Sequence, residues 1–376
     1  MSLATALPTP KLEAWKYTNL APLRSLDLAR ADAPPALDRA PTLLADARWR
    51  AVFVNGVFHA GLSRLDGLPH FAAESGTDGL ADPELHPLVA LNEQLLGGGY
   101  VLRVPRGVVL EEPIEIVHAM TGGAAHLRFR IALEPGAQAT VVERHVSLGA
   151  GESVANLVTE ADLGRDVLLR IWKLQEESSA AFHLAFTAAR LAQGARLESA
   201  TLTLGARLSR NETHVDFAGP GAECALSGAY ALRGRQHCDN TTVVTHGAPG
   251  CASRQVFKGV MDDSARGVFQ GRIWVEPRAQ KTDGHQLSRA LLLSDKAEID
   301  VKPELHIYAD DVKCSHGATA GELDPDAMFY LRARGVPERE ARSLLVQAFL
   351  EDAVSGVAHE ATREAFQARI AGWMQA

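Results

Sequence analysis

Between Ile299 and Ile307 every second residue is apolar. Ile299, Val301, Pro303, Leu305 and Ile307 alternate with Asp300, Lys302, Glu304 and His306. A period of two puts the two sets on opposite faces of a β-strand. Pro303 has no N–H to give a ladder, so this strand is expected at a sheet edge or where pairing is not needed. Residues 198–205, "ESATLTLG", repeat the alternation through Ala200, Leu202 and Leu204. From about residue 100 to 310 strands and turns dominate, with little helical periodicity.

A short turn recurs along this region. It reads "PGAQAT" at 135–140, "QGARLE" at 193–198, "PGAECA" at 220–225, "PGCASR" at 249–254, "DSARGV" at 263–268 and "DKAEID" at 295–300. Its third residue falls at 137, 195, 222, 251, 265 and 297, with separations of 58, 27, 29, 14 and 32. These are close to multiples of about 14 or 15, the signature of a stacked strand-plus-turn unit. Two units give about 29 residues per coil, which predicts a parallel β-helix or another β-solenoid in preference to a sandwich.

The two ends read differently. In "KLEAWKYTNLAPLRSLDL" (11–28), Leu12, Trp15 and Leu20 among charged residues suit a short helix. "APPALDRAPT" (33–42) is a proline-rich connector. Residues 49–65 look like two short strands around an Asn55-Gly56 turn. Residues 82–99 are helical up to a stop at three glycines. In the tail, Asp324 is an N-cap with Pro325 at the first helical position, and that helix stops at Gly335. A second helix starts at Pro337. Its Ala341, Leu344, Leu345, Ala348 and Phe349 follow the i, i+3, i+4, i+7, i+8 rule. A third covers 359–376. These helices are expected to cap the open end of the solenoid, or to dock a partner. The predicted organisation is a mainly β chain: a mixed α/β segment over 1–99, a β-helix core over 100–316 and a helical domain over 317–376.

Composition narrows the function classes. Net charge is −8 without a long basic run, which argues against nucleic acid as the main partner. No stretch approaches the roughly 18 consecutive apolar residues of a membrane span. The N-terminus lacks the pattern of a secretory signal. The four cysteines, Cys224, Cys238, Cys251 and Cys314, contain no CxxC and are expected to be reduced thiols in a cytoplasmic protein.

"KCSHGAT" (313–319) carries the most suggestive chemistry. Cys314 and His316, at i and i+2, share one face of a strand. Lys313 and an imidazolium beside the thiol would favour the thiolate. Two such ligands are half of a tetrahedral zinc or iron–sulfur site, so the other half must come from elsewhere in the chain or from another subunit. The plain alternative is a strand end that happens to carry both residues. A second group is His237, Cys238, His246 and Cys251. Its spacing matches no common zinc module, although residues one coil apart stack in a solenoid. His285 stands alone. "GLSRL" and "LLSDKAE" are not nucleophile elbows, and "GGGY" (97–100) follows a helix instead of opening one. The residues alone leave three readings open: an interaction scaffold, a solenoid-face hydrolase or transferase, and a self-contained zinc protein using Cys314, His316 and members of the 237–251 group.

The stretch 291–349 resembles the C-terminal signature of the SufB/SufD family of iron–sulfur assembly scaffolds. It combines "KPELHIYADDVKCSHGAT" with "FYLRARG" and a following amphipathic helix. "EAWKYTNL" (13–20) is similar to a motif that opens the SufD branch. The resemblance implies a right-handed parallel β-helix flanked by helical segments. It implies pairing with a SufB-like subunit or with a second copy of the chain, and docking of a SufC-like ABC ATPase through the C-terminal helices. On this resemblance His316, with Cys314 beside it, lies at the subunit interface where a transient iron–sulfur cluster forms, and either residue is a candidate metal ligand there. The isolated chain is expected to hold no cofactor and to be non-catalytic. The helix from Pro337, with Ala341, Leu344, Leu345, Ala348 and Phe349, is the expected ATPase contact.

Overall fold

From Gly98–Val104 onward the chain alternates between two sheets, and each strand pairs in parallel with the strand two steps further along. In this computed structural model, residues 7–29, 37–68, 70–73 and 79–375 are described. Among these residues one sheet has ten strands, running from the hairpin Trp49–Val54 and Val57–Phe58 to the last strand, Val312–Gly321. The other has nine, from Phe71–Ala72 to Glu298–Ile307. Together they form a β-solenoid of about eight turns. The coil length varies a little: Phe182 lies beside Leu208, 26 residues on, and Arg266 beside Glu298, 32 residues on.

The recurring turn has a steric cause. Ala137, Ala195, Ala222, Cys251, Ala265 and Ala297 are all buried, because each corner turns its third residue inward where only a small side chain fits. At four corners the preceding glycine takes a left-handed φ: 75° at Gly136, 64° at Gly194, 69° at Gly221 and 69° at Gly250. A side chain there would be strained.

The lumen is apolar over much of its length, packed by residues such as Phe53, Tyr100, Phe129, Leu157 and Phe269. One stretch is polar. The rings of His118 and His145 stack at 4.5 Å, and His145 meets His183 edge-on at 4.8 Å. Glu143, Lys173 and Glu177 are buried beside them. The outer faces are covered too. Trp15, Leu20 and Leu23 of the N-terminal segment, with Leu88 and Leu91 of helix α1 (Pro87–Leu95), pack on Phe182, Leu184 and Leu208 of the nine-stranded sheet.

The C-terminal helices are α2 (Pro325–Arg332), α3 (Glu338–Val354) and α4 (Glu360–Gln375). They do not cap the open end as expected. Helix α3 lies across strands Arg196–Thr203, Glu223–Leu232 and Ala252–Met261, on the side of the ten-stranded sheet. Outward-facing Trp172, Ala200, Leu202, Ala229, Ala231 and Val260 form an apolar strip, and Val346, Leu350, Phe366 and Ile370 bury it. The strip exceeds what a sheet leaves in water, so the helices go there.

Other expectations are met with changes of detail. The Asn55-Gly56 hairpin forms, with Phe53 opposite Phe58. Glu298–Ile307 is the edge strand that Pro303 predicted. Its apolar side is only half covered, because no further coil follows. Asp324 caps α2 by accepting from the backbone N–H of Asp326 and Ala327. Over 11–28 the backbone makes two 3-10 turns, Glu13–Trp15 and Ala21–Ser25, instead of an α-helix. The helix read over 82–99 is only Pro87–Leu95, and Gly98 already begins a strand. The connector 33–42 falls partly outside the described residues. Trp49–Val54 pairs with Ile114–Met120, so part of the first hundred residues joins the solenoid. The last strand runs through residue 316 to Gly321.

Candidate functional site

Val312–Gly321 ends the ten-stranded sheet, with a single strand neighbour, Thr282–Leu292. Cys314 lies beside Gly284 and His316 beside Gln286, both of them buried lumen positions. Cys314 and His316 therefore take the lumen side of the final rung, on one face as the spacing predicted. Because no coil follows, this side is open. Cys314 is half-buried against Ile273, Val275, Ala279 and Leu305. His316 is exposed, and among the described residues no side-chain hydrogen bond or ion pair engages it.

The thiolate expectation is corrected. Burial pushes the Cys314 thiol above its ordinary pKa and the Asp283 charge adds to that, while the backbone N–H of Gly284 only partly opposes them. Lys313 sits one residue away on a strand, so it points to the other face and is exposed. At neutral pH Cys314 is a thiol.

The zinc set does not assemble. Cys238 is buried among Tyr230, Leu232 and Met261, and burial pushes its thiol up to about 12. Cys251 fills a corner, its Sγ 3.4 Å from the Gly219 carbonyl oxygen. His246 is buried, with Nε2 2.9 Å from Ser253 Oγ, and His237 Nε2 lies 3.0 Å from Thr18 Oγ1. Each has a local partner, and none is grouped with Cys314 and His316. Among the described residues the ligand-spaced cluster is a different one, His86, Glu212 and His214. Sequence reading missed it. The weak signal was Glu212 and His214 at i and i+2 in "NETH".

His285 is not alone. Its Nδ1 lies 2.5 Å from Ser315 Oγ and its Nε2 2.7 Å from Asp283 Oδ1. This chain of Ser, His and Asp resembles a hydrolytic triad in composition only. The ring is reversed relative to one, since Nε2 faces the carboxylate. Asp283 is also shared with Arg254, at 2.8 Å. The group ties the outer face of the last rung to the rung before it.

On α3 the predicted stripe divides. Ala341 is buried, Leu345 and Phe349 are half-buried, and Leu344 and Ala348 are exposed. Lys258 lies over the Phe349 ring at 4.8 Å, which holds that side chain on the sheet. The buried face is instead Ala341, Val346, Leu350, Ala353 and Val354. What remains in solvent is an apolar set: Leu344 at 45% exposure, with Phe329 at 74% and Tyr330 at 56% on α2. Phe329 and Tyr330 are the opening residues of "FYLRARG".

The structure is thus a parallel β-solenoid with an open final rung bearing Cys-x-His and a helical layer on its flank. Residues 116–349 match the family model described as "SUF system FeS cluster assembly, SufBD core domain". The chain is 32% identical to "Iron-sulfur cluster assembly protein SufD" of Escherichia coli (strain K12), covering 98% of this chain and 89% of that protein. It is 31% identical to a protein of Synechocystis described as "Iron-sulfur cluster assembly SufBD family protein", over 91% of this chain and 82% of that one. It is 28% identical to SufD of Bacillus subtilis (strain 168), over 96% and 89%. The chain belongs to the SufBD family of iron–sulfur cluster assembly proteins. Within that family its likeness is to the SufD type.

Proposed function

We propose that this chain is a non-catalytic scaffold subunit of a SufBCD-type complex in the cytoplasm. It pairs through its open end with a SufB-like subunit, or with a second copy of itself. His316 faces the partner there and takes part in assembling an iron–sulfur cluster, which is cargo and not a resident cofactor. Cys314 lies beside it as a protonated thiol until a metal or partner base removes the proton. The observation that carries the reading is the position of His316. It is an exposed imidazole, free of other bonds among the described residues, on the last rung of a sheet whose edge has no strand beyond it. An open edge of this kind is completed by strand addition from another chain.

A SufC-like ATPase docks on the exposed apolar set Phe329, Tyr330 and Leu344, with Ala348 alongside. Ala341 and the half-buried Leu345 and Phe349 hold α3 in place and are not the contact itself. No helix among the described residues is long and apolar enough to cross a membrane. The test is His316→Ala in the assembled complex. Iron and sulfide should fall while assembly stays intact. Unchanged iron and sulfide would remove His316 from the mechanism.

A further inference from the structure

A second site lies on the outer face of the nine-stranded sheet, away from the strand that carries His316. Glu212 and His214 project from one face of strand Leu208–Phe217. His86 comes from the turn that begins α1, where it occupies the N-cap position without capping the helix by its side chain. The ligand atoms of the three lie within 4.8 Å of one another. We propose that His86, Glu212 and His214 bind a divalent first-row transition metal ion.

The donor set fits that class. Two imidazole nitrogens and one carboxylate suit zinc, cobalt and ferrous ions, and suit calcium or magnesium poorly. Glu212 is already oriented for the task. Arg210, itself fully buried, holds Oε2 at 2.8 Å, and Oε1 points at His214 Nε2, 3.0 Å away. A ligating carboxylate fixed through its other oxygen is the usual outer-shell arrangement. Among the described residues the His86 side chain makes no hydrogen bond. Its ring stands edge-on to His214 at 4.7 Å and against Phe186 at 4.5 Å, so the ring is placed by packing.

Two bonds of about 2.1 Å at a tetrahedral angle span roughly 3.4 Å, so Glu212 and His214, 3.0 Å apart, are already near ligand spacing, and His86 lies on a half-exposed turn beside them. A cavity of about 320 Å³ opens beside the cluster and is lined by Trp15, Gln270, Arg272 and Lys302. It leaves room for water or a small anion at the remaining coordination positions. Bound there, the ion would pin the start of α1 to the solenoid.

The test uses untagged protein stripped with a chelator and titrated with Co²⁺. The wild type should take up one equivalent, with the visible absorption of a low-symmetry cobalt site, and Zn²⁺ should displace it. His86→Ala and His214→Ala should each weaken binding by more than about tenfold, since even an outer-shell change costs that much. Zn²⁺ should raise the melting temperature of the wild type and not of either variant. Cys314→Ala should leave Co²⁺ uptake at this separate site unchanged. Failure of the wild type to bind, wild-type affinity in either histidine variant, or loss of this metal in Cys314→Ala would each overturn the proposal.

Discussion

Leu350 and Leu344 stand six residues apart on one helix, and the structure assigns Leu350→Ala and Leu344→Ala opposite consequences. Leu350 is fully buried, packed with Val346, Phe366 and Ile370 on the strip formed by Trp172, Leu202 and Val260. Truncation removes three carbons, worth about 2.5 kcal/mol at ~0.8 kcal/mol per methylene. The helix and the sheet are both held by their neighbours, so the site collapses little and a cavity term adds to this. The total should be about 3–4 kcal/mol, inside the 2–5 kcal/mol range for such changes. Leu344 is 45% exposed, and its loss should cost no more than about 0.5 kcal/mol. Urea titration followed by tryptophan fluorescence measures both, because Trp172 and Trp373 lie in the same cluster. A loss below about 1 kcal/mol for Leu350→Ala, or an equal loss for Leu344→Ala, would refute the assigned orientation of α3.

Other outcomes follow from the same geometry. Leu344→Asp should keep its fold and lose at least about tenfold in affinity for a SufC-like ATPase by calorimetry, as expected for an apolar anchor; full-strength binding would leave Leu344 a bystander. His118 and His145 have folded-state pKa values well below the ordinary one, first through burial and then through neighbouring histidine charge. The unfolded chain therefore takes up protons that the folded chain refuses, so stability is full above about pH 6.5 and falls as pH drops below it, by up to ~1.4 kcal/mol per unit per group. Urea midpoints at several pH values should show that slope, and His118→Gln should flatten it. Gly205→Ala should be destabilising, because a Cβ would stand 2.2 Å from the Glu177 carbonyl oxygen; a midpoint equal to wild type would show that the corner relaxes freely. Cys314 should react slowly with iodoacetamide at pH 7 and accelerate only above the ordinary thiol range, and rapid reaction at pH 7 would contradict its burial against Ile273 and Leu305.

The coil was legible because one steric demand repeats. A corner that admits only a small inward residue leaves Ala or Cys at the same place in coil after coil, and the intervals expose the stacking. Pro303 and Asp324 were legible for a similar reason, since each acts on its own backbone. The docking of the C-terminal helices was not. Ala229, Ala231 and Val260 face outward on strands whose inner positions are also apolar, and a strand apolar on both faces does not say which layer covers which. The period-3.6 stripe on α3 was real but rotated, because Val346 and Leu350 compete with Leu344 and Ala348 for the buried face. The thiolate reading failed on parity: Lys313 is adjacent in sequence and opposite on the strand. His86 joins Glu212 and His214 only through the fold, so no local pattern announces it.

The central claim is tested most directly by purifying a tagged copy of the chain with SufB-like and SufC-like proteins of the same organism, sizing the product by light scattering and assaying its iron and sulfide. The account predicts a stable complex that contains the ATPase and accumulates iron and sulfide with wild-type His316 but not with His316→Ala. A chain that stays alone in the presence of both proteins, or a complex indifferent to that substitution, would contradict it.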